Sequence, residues 1–254
     1  SQFIRDRALA TILGKALFWD MQVGSDGIQA CASCHFHAGS DSRAKNQLNP
    51  GSLSLGPPAS TTFNGHRPNA ELRLSDFPFH KKQDPTDINS AVIADSDDVR
   101  SSQGVFRFQF NGIVMGSAED LGSRVNDPVF QVGGINVRQV EPRATPTVIN
   151  SVFNEFQFWD GRADSSFNGA STAGGNDPDA RIFEIQNSQI APVSVLIDAS
   201  SLASQAVGPP VSELEMSFIG RIWPDIGKKM LSLRPLAKQF VHAEDSLLGA
   251  HADT

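Results

Sequence analysis

The pentapeptide Cys31-Ala32-Ser33-Cys34-His35 decides how the rest of the chain is interpreted. Two thiols three residues apart, followed at once by a histidine, form the C-x-x-C-H pattern of c-type haem attachment. On a tight turn each thiol can bond one of the two vinyl groups of a porphyrin, and the histidine then ligates the iron from the proximal side. The pattern predicts one covalent haem c held by Cys31 and Cys34, with His35 as iron ligand.

Other uses of a C-x-x-C pair fit the chain less well. A thioredoxin-like redox pair is expected within a βαβ pattern, which the surrounding sequence does not show. A tetrahedral zinc site needs further soft ligands, and the chain has only 2 Cys. A chance match to a short motif is the remaining alternative.

The haem motif also predicts the compartment. Covalent haem attachment takes place outside the cytoplasm, so the protein is expected to be exported and periplasmic. The chain opens with Ser-Gln-Phe-Ile-Arg rather than with a charged and apolar leader, so we expect a signal peptide that has already been removed.

Composition excludes several classes of function. The 254 residues suffice for one large domain or two small ones, and the net charge of −7 argues against a nucleic-acid partner. No apolar run approaches the roughly 20 residues that span a bilayer, so we do not expect an integral membrane protein. The chain has no Tyr, which excludes a phenolic ligand or radical from these residues.

The apolar pattern predicts a mostly α, cytochrome c-like haem domain with long irregular loops and a few short strands. Helical spacing is found over residues 6–18, 146–158, 225–231 and 235–243. Alternating phenylalanines over residues 105–111 predict one strand with a buried face.

Several separated motifs resemble the bacterial di-haem cytochrome c peroxidase family, which includes the MauG-type enzymes. They follow the order of that family along the chain and flank the haem motif. The motifs are L-G-K-A-L-F-W-D at 13–20, G-S-D-G at 24–27, R-A-T-P-T-V-I-N at 143–150, F-W-D-G-R-A at 158–163, S-L-A-S-Q-A-V-G-P at 201–209 and E-M at 215–216.

The resemblance implies a role for individual residues. His35 is the proximal ligand of the amino-terminal haem, the one that meets peroxide in this family. Trp159 lies near the electron path between the two haems, and is also a typical packed aromatic residue. Gln205 and Glu215 lie on the distal face. Arg162 either binds a haem propionate or forms a structural ion pair.

Peroxide chemistry explains why the distal residues are a carboxylate and an amide. A carboxylate such as Glu215 takes a proton from one peroxide oxygen and returns it to the other, so that water leaves instead of hydroxide. Partial burial raises the pKa of a carboxyl group, which suits it to hold that proton. The neutral amide of Gln205 can hydrogen-bond peroxide without competing for the proton.

Some segments depart from the pattern of the family. Residues 40–139 and 164–200 are longer than in compact peroxidases, which indicates an insertion-bearing member. Family members with calcium use the asparagine of R-N-x-P-T, where this chain has Ala144, so support for a calcium site is weak. Residues 133–138 contain no distal histidine, which predicts an iron open without prior reduction.

The other histidines are weaker candidates for a role at iron. His37 is interpreted as a polar residue near the haem edge. His66 and His80 lie in polar loops and are either surface residues or distal ligands.

A di-haem enzyme needs two C-x-x-C-H motifs, and residues 1–254 contain a single one, at Cys31–His35. We therefore interpret residues 1–254 as an amino-terminal haem domain. The second haem domain is expected on a separate chain or on a cleaved fragment that copurifies.

The sequence favours a haem c oxidoreductase that reduces hydrogen peroxide, with electrons relayed from the second haem and from a small donor protein. The alternatives are MauG-like oxidation of a protein or organic substrate, and a plain electron-transfer cytochrome c.

Overall fold

The computed structural model describes residues 3–35, 41–51, 62–64 and 66–252. Its α-helices are α1 (Arg7–Trp19), α2 (Ser201–Ala206) and α3 (Trp223–Leu231). Its strands are β1 (Leu48–Asn49), β2 (Lys81–Lys82), β3 (Val92–Ala94), β4 (Val99–Arg100), β5 (Phe108–Gly112), β6 (Leu121–Arg124), β7 (Gln131–Val132), β8 (Ile135–Asn136), β9 (Ile182–Gln186) and β10 (Gln189–Val193).

The strands form two-stranded antiparallel sheets, which pair β1 with β4, β2 with β3, β5 with β6, β7 with β8 and β9 with β10. The prediction of a mostly α fold is therefore wrong, because 21% of the structure is helix and 18% is strand. Short turns with positive φ produce two of these hairpins: Gly133 and Gly134 join β7 to β8, and Asn187 and Ser188 join β9 to β10.

Two of the predicted helices are confirmed. Helix α1 begins after Asp6, whose carboxylate accepts the Leu9 amide at 3.0 Å, as an N-cap should. Helix α3 contains residues 225–231, and Asp225 accepts the Ile222 amide at 3.2 Å in front of it.

The other two predicted helices are wrong. Residues 146–158 form only one short 3-10 turn, Ser151–Phe153, which follows Asn150 at φ 60°. Residues 235–243 form turns, and Leu236 has φ 59° directly after Pro235. A residue in the left-handed region cannot continue a right-handed helix, which explains both failures.

Strand β5 confirms the predicted strand only in part, because it covers Phe108–Gly112 and leaves residues 105–107 outside. Within it the more buried and the exposed positions alternate, as the phenylalanine spacing predicts.

Helix α1 packs on the carboxyl-terminal segment. Ala16 forms a small apolar cluster with Leu236 and Leu248. Lys15 extends this contact through an ion pair of 2.6 Å with Asp245. No helix within the described ranges is long and apolar enough to cross a membrane.

A buried ionic cluster holds α3 against the loop in front of the haem motif. Asp120 pairs with Arg221 at 2.7 Å and with Lys229 at 3.0 Å, and all three side chains are almost fully buried. Arg221 also donates to the Val23 carbonyl, and Lys229 donates to the Gly24 carbonyl, both at 2.9 Å. The two cations thereby fix the backbone that leads into residues 24–35.

Ser25 joins this loop to the segment that carries Glu215. Its amide donates to the Met216 carbonyl at 2.8 Å, and its hydroxyl accepts the Phe218 amide at 2.9 Å. Ser25 is completely buried, and its carbonyl accepts the Asp120 amide at 2.8 Å. The serine of the G-S-D-G motif thus sets the position of Glu215 relative to the haem motif.

Replacement Ser25→Ala is expected to lower the free energy of unfolding by about 1–3 kcal/mol, because the buried Phe218 amide loses its acceptor. Denaturant unfolding of the haem-loaded protein measures this loss. The control Ser246→Ala changes an exposed serine and should alter stability by less than about 0.5 kcal/mol. If Ser25→Ala matches the control, this position for Ser25 is wrong.

Candidate functional site

The haem motif forms a tight turn. Cys31–Ser33 is a single 3-10 turn, and the amides of Cys34 and His35 both donate to the Cys31 carbonyl, at 3.2 and 3.1 Å. Neither cysteine is in a disulfide, and both are of intermediate exposure. The turn therefore presents two thiols and a histidine from one short stretch of backbone, as thioether attachment to one porphyrin requires.

Asp26 shapes the entry to this turn. Its Oδ1 accepts the amides of Ile28 and Gln29 at 3.0 and 2.9 Å, and its Oδ2 pairs with Arg138 at 2.8 Å. Gly27, at φ 64°, provides the left-handed turn between Asp26 and the amides that it binds. The acidic residue of the G-S-D-G motif is thus a turn-forming residue.

His35 is held in the orientation of an iron ligand. Its Nδ1 lies 2.9 Å from the Pro146 carbonyl, and because a carbonyl only accepts, Nδ1 carries the proton. The Nε2 lone pair then remains available for a metal. Burial lowers the pKa of His35, the Pro146 hydrogen bond opposes that shift, and the neutral form is the one that ligates. The Phe18 ring lies at 6.4 Å, centroid to centroid.

Pro146 is a residue that the sequence interpretation missed. The R-A-T-P-T motif supplies the carbonyl that orients the proximal histidine, although the motif lies 111 residues further along the chain. No spacing in the sequence marks this contact, because 111 residues separate Pro146 from His35.

The thiols are poor nucleophiles before attachment. Burial raises the pKa of Cys31 to about 11, and burial followed by the charge of Glu141 raises the pKa of Cys34 to about 12. Redox-active C-x-x-C pairs instead have a thiol whose pKa is lowered by a positive neighbourhood. These directions argue against the thioredoxin-like alternative.

The long stretch predicted as an insertion contributes directly to this site. Gln29 donates to the Gln103 carbonyl at 2.9 Å, and that carbonyl lies 3.9 Å from the Cys34 sulfur. Arg43 donates to the Ser33 carbonyl at 2.7 Å. Residues 40–139 therefore include part of the wall of the haem motif.

Glu215 lies on a segment that packs against residues 101–105. The Val105 amide donates to the Glu215 carbonyl at 3.1 Å. Gly104 is a second residue that the sequence interpretation missed, because a side chain there would collide with the carbonyls of Leu214 and Glu215. Glu141 and Ser212 are neighbours whose side chains lower the pKa of Glu215.

Glu141 is the third residue that was missed. Its side chain interacts directly with that of Glu215, and its Oε1 is buried with no hydrogen-bond partner among the described residues. No sequence motif marks it, since a single glutamate before R-A-T-P-T has no distinctive spacing.

Trp159 and Arg162 lie at the surface. Trp159 is 68% exposed, and its indole N–H donates to the Ala144 carbonyl at 2.6 Å. Arg162 pairs with Asp160 at 3.0 Å, and its guanidinium lies 3.7 Å from the centre of the Phe158 ring. This ion pair matches the structural alternative for Arg162, while its charge still lowers the pKa of Glu215.

Gln205 lies in α2 and is partly buried. Its backbone carbonyl accepts the Gly208 amide at 3.0 Å. Its role as an amide that faces peroxide stays a prediction.

His66 and His80 make contacts elsewhere in the described chain. His80 is an exposed residue paired with Asp95 at 3.0 Å. The His66 ring lies 6.4 Å from the Phe79 ring. His37 falls outside the described residues. Within the described ranges no group of three or more His, Cys, Asp or Glu side chains is arranged to hold a metal ion.

The residues around His35 fit a covalent haem c. Two free thiols, a histidine with Nε2 available and a buried carboxyl oxygen without a partner lie on the segments that surround the motif. Apolar side chains that follow Pro146 are exposed, as a flat apolar macrocycle or a second domain would require of its neighbours. They are Val148, Ile149, Val152, Phe153 and Phe156.

This turn and its surroundings have the features of a c-type haem site. A family model described as di-haem cytochrome c peroxidase matches residues 9–243. The chain therefore belongs to the di-haem cytochrome c peroxidase/MauG family. No curated protein and no solved structure matches the chain with significance.

Proposed function

We propose that the chain is the amino-terminal haem domain of an exported, periplasmic oxidoreductase that reduces hydrogen peroxide at the haem ligated by His35. The observation that carries the proposal is the position of Glu215. This carboxyl group, whose pKa is raised by burial, lies close enough to influence the pKa values of both Cys31 and Cys34. A proton-holding group beside a haem anchor is what peroxide reduction needs.

Cys31, Cys34 and His35 would hold the haem. When bound, haem c supplies an iron centre at which peroxide can be reduced by two electrons. The reaction consumes two protons and two electrons for each peroxide and releases two water molecules. Glu215 accepts the proton from one peroxide oxygen and delivers it to the leaving oxygen, while the Gln205 amide orients the peroxide.

The electrons are proposed to come from a second haem, reduced in turn by a small redox protein. The family is di-haem, and both cysteines of this chain belong to one motif. The exposed Trp159 and the exposed apolar side chains within residues 148–156 provide a surface on which a second haem-bearing polypeptide can pack. A hydrogen bond fixes the Trp159 ring in that surface, which suits a position on the electron path.

The visible spectrum of the ferric protein tests the proposal. An open iron site gives a high-spin spectrum. Hydrogen peroxide should change that spectrum within seconds, and a reduced donor protein should restore it. Intact-mass analysis of the same preparation should show one covalent haem on this chain and a second haem on its partner. A low-spin spectrum that peroxide leaves unchanged would identify an electron-transfer cytochrome instead.

A further inference from the structure

One extended segment, residues 101–105, brings two glutamates from distant parts of the chain together. The Glu141 amide donates to the Ser102 carbonyl at 3.0 Å, and the Val105 amide donates to the Glu215 carbonyl at 3.1 Å. Both glutamates are therefore fixed by backbone hydrogen bonds to the same segment. Their side chains meet at its surface.

The contact between the two carboxyl groups requires a proton. The two side chains interact directly, and because carboxylate oxygens only accept hydrogen bonds, this contact becomes a hydrogen bond only when one of the two groups is protonated. Two carboxylates in contact, both largely withdrawn from solvent, would also repel each other strongly. The pair is therefore expected to hold one proton under conditions in which exposed glutamates are ionised.

The surroundings of the two groups differ. Ser212, whose carbonyl accepts the Glu215 amide at 3.2 Å, lowers the pKa of Glu215. Glu141 has its Oε1 buried with no hydrogen-bond partner in the described part of the chain. A carboxylate needs several donors, whereas a neutral carboxyl group tolerates an unpaired oxygen better. This difference assigns the proton to Glu141 and the negative charge to Glu215.

The charges that face the pair support this assignment. Arg162 lies near both carboxyl groups and favours a negative charge, and the two cysteines become uncharged thioethers after attachment. Burial, the charge of Glu215 and the hydrogen bond to Glu215 hold the pKa of Glu141 well above its ordinary value. Burial raises the pKa of Glu215, while the hydrogen bond from Glu141, the charge of Arg162 and Ser212 oppose that shift.

We propose that Glu141 is a positioning residue for Glu215: its protonated carboxyl group donates a hydrogen bond to the Glu215 carboxylate and keeps Glu215 ready to accept a proton from peroxide. The consequence for peroxide reduction depends on the proposed function of Glu215. The shared proton itself does not depend on it.

Infrared titration of the haem-loaded protein tests the shared proton without any turnover. The wild-type protein should show a protonated carboxyl band that persists well above the pH at which exposed glutamates ionise. Glu141→Gln and Glu215→Gln should each remove this persistent carboxyl band. The matched control Glu213→Gln changes an exposed glutamate two residues before Glu215 and should keep it.

The pH profile of the reaction with peroxide tests the positioning role. In the wild type, loss of the Glu141 proton at high pH removes the donor to Glu215 and gives the profile an alkaline limb. The side-chain amide introduced by Glu141→Gln can still donate to Glu215 and does not titrate. The acid limb of this variant should therefore stay within about half a pH unit of the wild type, while the alkaline limb disappears. Glu141→Leu removes the donor, so the pKa of Glu215 rises and the acid limb should move up by about one pH unit or more. A merely structural role would lower the rate equally at every pH.

The outcomes separate this proposal from the proposed function. If the Glu141 variants leave the carboxyl titration unchanged, the proposal that Glu141 and Glu215 share a proton is wrong, whatever the peroxide kinetics show. If Glu215→Gln reacts with peroxide as fast as the wild type while the titration behaves as expected, the carboxyl pair stands and the role of Glu215 in peroxide reduction falls. If Glu141→Leu does not retain haem, the infrared titration of Glu141→Gln alone decides.

Discussion

Replacement Glu215→Gln is expected to slow the reaction of the ferric protein with hydrogen peroxide by about a hundredfold or more. Glutamine has nearly the same shape as glutamate and can hydrogen-bond peroxide, but it cannot take up and return a proton near neutral pH. Positioned acid–base groups typically contribute about 10²–10⁴-fold to a rate. Stopped-flow recording of the haem spectrum after mixing with peroxide measures the effect.

The same variant should lose the pH dependence of the wild type. In the proposed mechanism the carboxylate form of Glu215 accepts the first proton, so the wild-type rate is expected to fall as the pH drops below the raised pKa of this group. Without a titrating group the profile becomes flat over that range. The control Glu213→Gln should react as the wild type does, since its side chain is exposed. A rate for Glu215→Gln within about threefold of the wild type, with an unchanged resting spectrum, would remove Glu215 from the mechanism.

Replacement Asp120→Asn is expected to have the largest effect on stability, a loss of about 3–5 kcal/mol. Asp120 is the anion of a cluster whose cations, Arg221 and Lys229, are almost fully buried. Burial lowers the pKa of both cations, and the charge of Asp120 opposes that shift. The neutral amide would leave two buried positive charges against each other.

Denaturant unfolding of the haem-loaded protein measures this loss. The control Asp179→Asn makes the same chemical change at an exposed carboxylate and should change the free energy of unfolding by less than about 0.5 kcal/mol. Because the Asp120 amide also holds the Ser25 carbonyl, the variant is further expected to loosen the segment that carries Glu215. A loss below about 1 kcal/mol would show that the cluster does not stabilise the fold.

Local patterns predicted some elements of the fold and not others. Helix α1 follows from a capping aspartate and a regular apolar spacing, both of which act within a few residues. The helix expected over residues 146–158 does not form, although its apolar spacing is similar. Instead, its first residue is Pro146, whose carbonyl is bonded to His35, and Asn150 is left-handed. A tertiary hydrogen bond and a backbone turn thus override the periodicity there.

The predicted fold class is wrong for a related reason. The apolar pattern predicts a mostly α domain, but many of the residues between the motifs form short hairpins such as β5–β6 and β9–β10. The turn residues Gly133 and Gly134 signal one of these hairpins, and Asn187 signals another. Strands of two to five residues show too little alternation to be recognised individually.

The sequence by itself predicted the haem anchor and determined the family, because three residues within five positions and a set of short ordered motifs need no knowledge of the fold. Only the tertiary structure decided which groups surround that anchor. The Pro146 carbonyl that orients His35, the Ser25 contacts that place the Glu215 segment and the pairing of Glu141 with Glu215 all join residues far apart in the chain. Such contacts form because the folded backbone brings distant parts of the chain together. A local sequence pattern carries no information on which distant residues will be neighbours.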